Sequence, residues 1–281
     1  MIGVFDSGVG GLSVLREIHK QIPNQPTIYF ADQKNVPYGP RSAKEVQAFS
    51  HSVCDYLVSR GAKVIVVACN TATAAAINWL RETYPAEISF VGMEPAIKPA
   101  ATITKTGRIG VMATAGTFKS QRYAALMTRF AKDVQLFENS CVGLVEQIES
   151  GDLDSADTYE LLTSFINPML EEGIDALILG CTHYPFVLPA IKSIVGDSVT
   201  VIDPAPAVAR QTARLIQSDK NDAANRPVVR EYSTSGNFIE FISSVNRLQN
   251  ISENKTKVGQ NRFISIAKNS HLNFYQKVHN N

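Results

Sequence analysis

Ile2-Gly3-Val4 recurs as Ile109-Gly110-Val111, 107 residues on; Cys69 recurs as Cys181, 112 residues on; and Glu94-Pro95-Ala96 recurs as Asp203-Pro204-Ala205, 109 residues on. Ordered matches at so steady a spacing read as the duplication of one set of βα units. Two equivalent halves would face each other across a cleft and carry their equivalent residues to opposite sides of one bound ligand.

The runs between these landmarks say what each half is made of. Apolar stretches of strand length at 2–5, 27–31, 63–68, 88–92, 108–112, 134–138, 175–180 and 199–202 alternate with helical patterns at about 11–21, 42–60, 72–83, 119–131, 156–172, 186–195 and 206–217. This alternation predicts βαβ units and an α/β fold: two pseudo-symmetric, doubly wound lobes with mainly parallel sheets and the active site in the cleft between them. Gly61 and Gly173 stand where helix C-termini favour a left-handed residue. The repeat sets one lobe at 1–95 and the other at 96–207, with 208–281 returning to the first. Within that return, 228–233 reads as an edge strand and 237–247 as a helix. The polar, Asn-rich last thirty residues read as a terminal helix or a loosely ordered tail.

Both cysteines close a buried strand: Cys69 ends Val64-Ile65-Val66-Val67-Ala68, and Cys181 ends Ala176-Leu177-Ile178-Leu179-Gly180. Ligands of α/β sheets bind at the carboxyl ends of the strands, where helix N-termini favour negative charge, so both thiols are expected where a thiolate is stabilised. Cys54 and Cys141 lack a matching setting and read as inert small side chains. The four cysteines show no C-x-x-C spacing, which argues against a zinc site or a thioredoxin-like pair.

A formal net charge of +1 gives no nucleic-acid or membrane-surface signal, and no run approaches the roughly 18 apolar residues of a membrane span. The sequence opens directly on a strand, which predicts a cytoplasmic location with reduced thiols. Oligomeric state is left open, a homodimer being one arrangement.

Phe5-Asp6-Ser7-Gly8-Val9-Gly10-Gly11 lies between a strand and a helix, as a phosphate-cradling loop would, but Ser13 occupies the place of the third glycine. A carboxylate there would repel a pyrophosphate. Asp6 suits an ammonium group or a proton relay better, with capping of the following helix as the structural alternative. Asn70-Thr71 and Thr182-His183 can offer amides and hydroxyls to a carboxylate, and His183 is a plausible acid–base partner for Cys181. Asp32 to Gly39 forms a loop at the same sheet edge that presents Tyr38.

Together, Phe5 to Ser13, Ala31-Asp32 with Pro37-Tyr38-Gly39, Ala68-Cys69-Asn70-Thr71-Ala72-Thr73, and Leu179-Gly180-Cys181-Thr182-His183-Tyr184-Pro185 resemble the glutamate racemases of the cofactor-independent aspartate/glutamate racemase superfamily over about residues 1–245. The resemblance implies interconversion of L- and D-glutamate for peptidoglycan, with no cofactor and no metal. It makes Cys69 and Cys181 the acid–base pair and Asp6 and His183 their supporting groups. Substrate contacts fall to Asp6, Ser7, Tyr38, Gly39, Asn70, Thr71, Thr182 and His183, joined by Thr114 and Thr117. A functional glutamate follows Cys141 in this family; Glu146 and Glu149 are both candidates, and Glu149 fits the spacing better.

Overall fold

The computed structural model describes residues 1–217, 228–248, 260–266 and 275–278. The first half runs β1 (Ile2–Asp6), α1 (Leu12–Gln21), β2 (Thr27–Ala31), α2 (Ala43–Ser59), β3 (Val64–Val67), α3 (Asn70–Thr83) and β4 (Ser89–Gly92). The second runs α4 (Ile97–Ile103), β5 (Arg108–Ala113), α5 (Ala115–Phe118), α6 (Gln121–Phe130), β6 (Gln135–Asn139), α7 (Leu144–Ser150), α8 (Ala156–Glu171), β7 (Ala176–Gly180), a 3-10 turn (Tyr184–Val187), α9 (Leu188–Val195) and β8 (Thr200–Ile202). Then follow α10 (Ala205–Gln217), β9 (Val229–Thr234), α11 (Phe238–Leu248), β10 (Gln260–Ile266) and β11 (Tyr275–Val278).

Two sheets result, ordered β11-β10-β9-β2-β1-β3-β4 and β6-β5-β7-β8. The run β2-β1-β3-β4 matches β6-β5-β7-β8 strand for strand, and every pairing within both runs is parallel. The duplication read from short matches is therefore a duplication of topology. Each sheet is covered on both faces, because alternate residues of one strand feed different cores. Val64 and Val66 join the core beneath α1 and α10, whereas Ile65, Val67 and Cys69 join the one beneath α2 and α3. In the second sheet Ala176 and Ile178 face one core, and Leu177, Leu179 and Cys181 the other. The two-residue period thus carries each thiol off the end of an equivalent strand on an equivalent face.

Gly61 and Gly173 adopt φ of +85° and +73°, as their helix-ending positions predicted. The return segment differs from expectation. β9 is interior, paired with both β2 and β10, and not an edge strand. The tail is neither a helix nor loose where it is described: β10 extends the sheet in parallel and β11 pairs antiparallel to it. Tyr232 stacks on Phe263 at 5.3 Å between ring centres, apolar contact that the polar composition of the tail concealed. The remainder of 250–281 lies outside the described residues.

The duplicated Glu94-Pro95-Ala96 and Asp203-Pro204-Ala205 segments are where the chain passes between the sheets. Arg122 of α6 pairs with Glu94 and donates to Asn78 of α3 at 3.2 Å, so the first crossover is tied to both halves. We propose these crossovers as the changeovers between a lobe of 1–95 with 208–281 and a lobe of 96–207.

Candidate active site

The loops after β1, β2, β3, β5 and β7 meet in the cleft between the sheets. Cys69 is the N-cap of α3: its backbone is extended and its Sγ accepts from the Ala72 N–H at 3.4 Å. The thiol lies 3.8 Å from Ser7 Oγ, with the Asp6 carboxylate close enough for each to shift the other's ionisation. Asp6 is fully buried and accepts from Gly11 N–H through Oδ2 at 2.9 Å, so it caps the turn entering α1, while Oδ1 has no hydrogen-bond partner in the protein. Burial outweighs the attraction of His183 and the Gly11 and Cys69 hydrogen bonds, holding Asp6 above the ordinary carboxylate range. Burial, reinforced by the charge of Asp6, also pushes the Cys69 thiol well up. The expectation of a stabilised thiolate at Cys69 is thereby corrected: one amide at a helix N-terminus does not offset removal from water next to a carboxylate.

Cys181 has different company. Its Sγ lies 3.7 Å from His183 Nδ1, and the opposite ring nitrogen, Nε2, lies 2.7 Å from Glu149 Oε1. Burial works against the imidazolium, but the hydrogen bonds and charges of Cys181 and Glu149 prevail and His183 is held well above 6.5. Burial likewise works against the Glu149 carboxylate. His183, the Val9 N–H and Gln33 overcome it and bring Glu149 below 4.5. The Val9 N–H donates to Glu149 Oε1 at 2.9 Å across the cleft, and a Cβ on Gly8 would collide with that carboxylate. Glycine here lets one half seat its first loop on the other half's glutamate. Glu146, three residues earlier on the short helix α7, instead lines the outer cavity.

Of the residues expected to contact substrate, Asn70 and Thr71 follow Cys69 at the start of α3, and Gly39, Thr71 and Thr114 line one cavity. Asn70 is buried with neither Oδ1 nor Nδ2 bonded to protein, which leaves both atoms to hold a ligand or an ordered water. Thr71 Oγ1 and Thr114 Oγ1 meet at 2.9 Å from opposite halves, and Thr117 Oγ1 lies 3.1 Å from Thr114. Thr182 is buried, and its carbonyl lies 2.8 Å from Ser13 Oγ. Tyr38 donates to Asp32 at 2.6 Å, and Ser235 donates to the other Asp32 oxygen at 2.6 Å. A cavity of about 920 Å³ opens over Gly39, Thr71 and Thr114 and is walled by Arg41, Cys141 and Glu146. Cys69 and Cys181 are not among its lining residues, and each is 5% exposed.

Cys141, read as inert, takes a positive φ of +46° and sits beside Tyr184, where burial pushes its thiol up. Sequence reasoning missed the Ser235 anchor on Asp32, which belongs to no recognisable pattern. Among the described residues no three His, Cys, Asp or Glu side chains are grouped to hold a metal ion. No described helix is long and apolar enough to cross a membrane.

The model of the Asp/Glu/Hydantoin racemase family matches residues 2–212. The chain belongs to that family. It is 52% identical to a glutamate racemase of Pseudomonas paraeruginosa over 83% of this chain and 88% of that protein. Among solved structures, a glutamate racemase isoform from Bacillus anthracis superposes with a TM-score of 0.79 at 35% identity, covering 90% of this chain and 94% of that one. The Escherichia coli glutamate racemase in complex with L-glutamate and the activator UDP-MurNAc-ala superposes with a TM-score of 0.78 at 30% identity, covering 88% and 94%. Family membership makes the chain a racemase by descent, and the two thiols of its cleft stand where the duplicated strands β3 and β7 end.

Proposed function

We propose that this protein is a glutamate racemase that interconverts L- and D-glutamate by proton transfer at two thiols and supplies D-glutamate for peptidoglycan. The observation that carries the reading is the pair of equivalent strand-end cysteines, each with its own acid–base partner, beside the unpartnered Asn70 amide. The 52% identity to a glutamate racemase supports glutamate over the smaller or cyclic substrates of the wider family.

Racemisation removes the α-hydrogen from one face of Cα and returns a proton to the other. In one direction Cys181 acts as thiolate beside the His183 imidazolium and takes the α-proton, while the Cys69 thiol delivers its proton from the opposite face and is left as a thiolate. In the other direction Asp6 accepts the Cys69 proton, a task suited to a carboxylate whose affinity for protons is raised, and the roles of the thiols reverse. The α-hydrogen is far less acidic than a thiol, so the negative charge growing on the α-carboxylate must be stabilised. Asn70, Thr71, Thr182 and the amides that open α3 supply donors in a site kept from water, where hydrogen bonds act most strongly. The proton transfers fall to protein side chains alone, without pyridoxal phosphate, nucleotide or metal. The reaction belongs in the cytoplasm, where the four free cysteines stay reduced, and a homodimer is the proposed assembly, open to a mass measurement in solution.

Incubation with L-glutamate in deuterium oxide tests the reading. The expected result is loss of the α-proton NMR signal together with decay of the circular dichroism to zero. Retention of both signals, or faster exchange of aspartate than of glutamate, overturns it.

A further inference from the structure

Asp32 opens the loop between β2 and α2 and is almost wholly buried, a setting in which a carboxylate is costly unless donors surround it. The loop supplies some of them itself. Oδ2 accepts from the Tyr38 hydroxyl at 2.6 Å and from the Asn35 amide at 2.8 Å, so residues 32–38 wrap around this one group. Oδ1 accepts from Ser235, which follows β9 and lies beyond the residues that the family model matches. Every hydrogen-bonding role of Ser235 described here is directed at this loop or its start: the N–H donates to the Ala31 carbonyl at 3.1 Å, the hydroxyl proton goes to Asp32 at 2.6 Å, and the same oxygen accepts from the Lys34 N–H at 3.1 Å. A Cβ at Gly236 would stand 2.6 Å from the Gln33 Cβ, so the strand end closes directly on the loop.

The far end of the loop is a wall of the cleft. Pro37, Gly39 and Arg41 line the same cavity as Thr71 and Thr114. A Cβ at Gly116, in the opposite half, would stand 2.7 Å from the Gly39 carbonyl oxygen, so the loop is closely seated on that side as well. Tyr38 links the two ends: its ring packs on Phe49 at 5.6 Å between centres, and its hydroxyl is held by Asp32. We propose that Ser235 is a positioning residue for substrate binding, acting through Asp32 on Tyr38 and so on the cavity wall at Gly39. The proposal rests on the glutamate racemase reading above, in which Tyr38 and Gly39 contact substrate. Neither thiol belongs to this network: Cys69 bonds to Ser7 and Ala72, and Cys181 to His183. A loop that holds substrate away from the reacting atoms strengthens the ground state and the transition state alike, so its placement is read in KM and not in kcat.

Ser235→Ala is expected to raise KM about tenfold, the usual scale for a hydrogen bond to a charged group, and to leave kcat within about twofold of wild type. Because the enantiomers are isoenergetic, an unchanged kcat in both directions requires the same rise for L- and D-glutamate. A merely structural role would lower the fraction of folded enzyme, and with it kcat at unchanged KM. Ser235→Thr keeps the hydroxyl and should return KM toward wild type. Ser235→Cys, a weaker donor of similar size, should fall between the two, and it decides the matter if Ser235→Ala does not fold. The route through Asp32 is tested by a double-mutant cycle: with Tyr38→Phe in place, Ser235→Ala should raise KM further by no more than about twofold, since the hydroxyl that Asp32 holds is gone. A wild-type KM in Ser235→Ala, a loss confined to kcat, a Ser235→Thr variant no better than Ser235→Ala, or effects of Tyr38→Phe and Ser235→Ala that multiply in full overturn the role of Ser235. Absence of α-proton exchange from glutamate in the wild-type protein would instead overturn the racemase reading on which it rests.

Discussion

Cys69 and Cys181 end strands of identical rank in identical four-strand runs, yet one faces a carboxylate and the other an imidazole. Around Cys69, burial and Asp6 both oppose ionisation, and the thiol is held as an acid with a proton acceptor at hand. Beside Cys181, His183 is held well above 6.5 by its hydrogen bonds to Cys181 and Glu149, so the group facing this sulfur is a cation. Duplication supplied the symmetric frame that an inverting reaction needs, because the substrate must be met from two faces. It did not duplicate the helpers. Asp6 comes from the end of β1 in the same half as Cys69, whereas the Cys181 arrangement is completed by the Val9 backbone of the opposite half. The Cys181 side is consequently the one that depends on the two halves being docked.

The largest effect should come from removing either thiol. Cys69→Ala and Cys181→Ala are each expected to lower racemisation by about 10⁴-fold, the upper end of the scale of lost acid–base catalysis, with unchanged far-ultraviolet circular dichroism. Retention of activity in one variant alone would show that a single thiol suffices and would end the equivalence of the pair.

Replacing the helpers should separate the two sides with a smaller loss. Asp6→Asn and His183→Ala are expected to slow turnover by roughly 10²-fold and to displace the α-deuterium isotope effects for L- and D-glutamate in opposite senses. Because the equilibrium constant between enantiomers is one, the ratio of kcat/KM values cannot move, and the asymmetry has to appear in isotope effects or in kcat and KM separately. Equal displacement by both variants would refute the pairing of one helper with each thiol.

The smallest effect is on stability, and its sign follows from the shifts. His183 is raised from 6.5, so its charged pairing contributes fully below that pH and is lost as pH climbs through the raised value. Glu149 is lowered from 4.5, so its contribution is present above 4.5 and is lost as pH falls through the depressed value. Asp6, raised from 3.8, acts in the opposite sense to Glu149, which makes the difference between wild type and Glu149→Gln the quantity to measure. Thermal melts across pH should show that difference shrink at both ends. The His183 ring resonances should titrate far above 6.5 in wild type and closer to it in Glu149→Gln. Titration of wild-type His183 near 6.5 would mean that the Cys181 side holds no imidazolium.

Much of this frame is legible in the amino-acid sequence. Strand-length apolar runs, the positions of Cys69 and Cys181 at their ends, and the duplicated order all follow from local periodicity, since alternate burial leaves its period in the chain itself. What could not be read has a common cause. Helices α4, α5 and α7, of seven, four and seven residues, are too short to display a helical period. The seating of Glu149 on His183 and Val9 joins residues 34 and 140 positions apart, and the Thr234–Gln33 bond joins residues 201 apart. Such pairings are decided only when packing brings distant segments together. The interior place of β9 is of the same kind, for a strand's own residues do not declare what will pair with its second edge. Sequence by itself determined the α/β frame and the two equivalent thiols, because each is encoded within a few neighbouring residues. Tertiary structure alone decided which glutamate backs His183 and how firmly it is held, because the Val9 bond to Glu149 crosses the cleft between the halves.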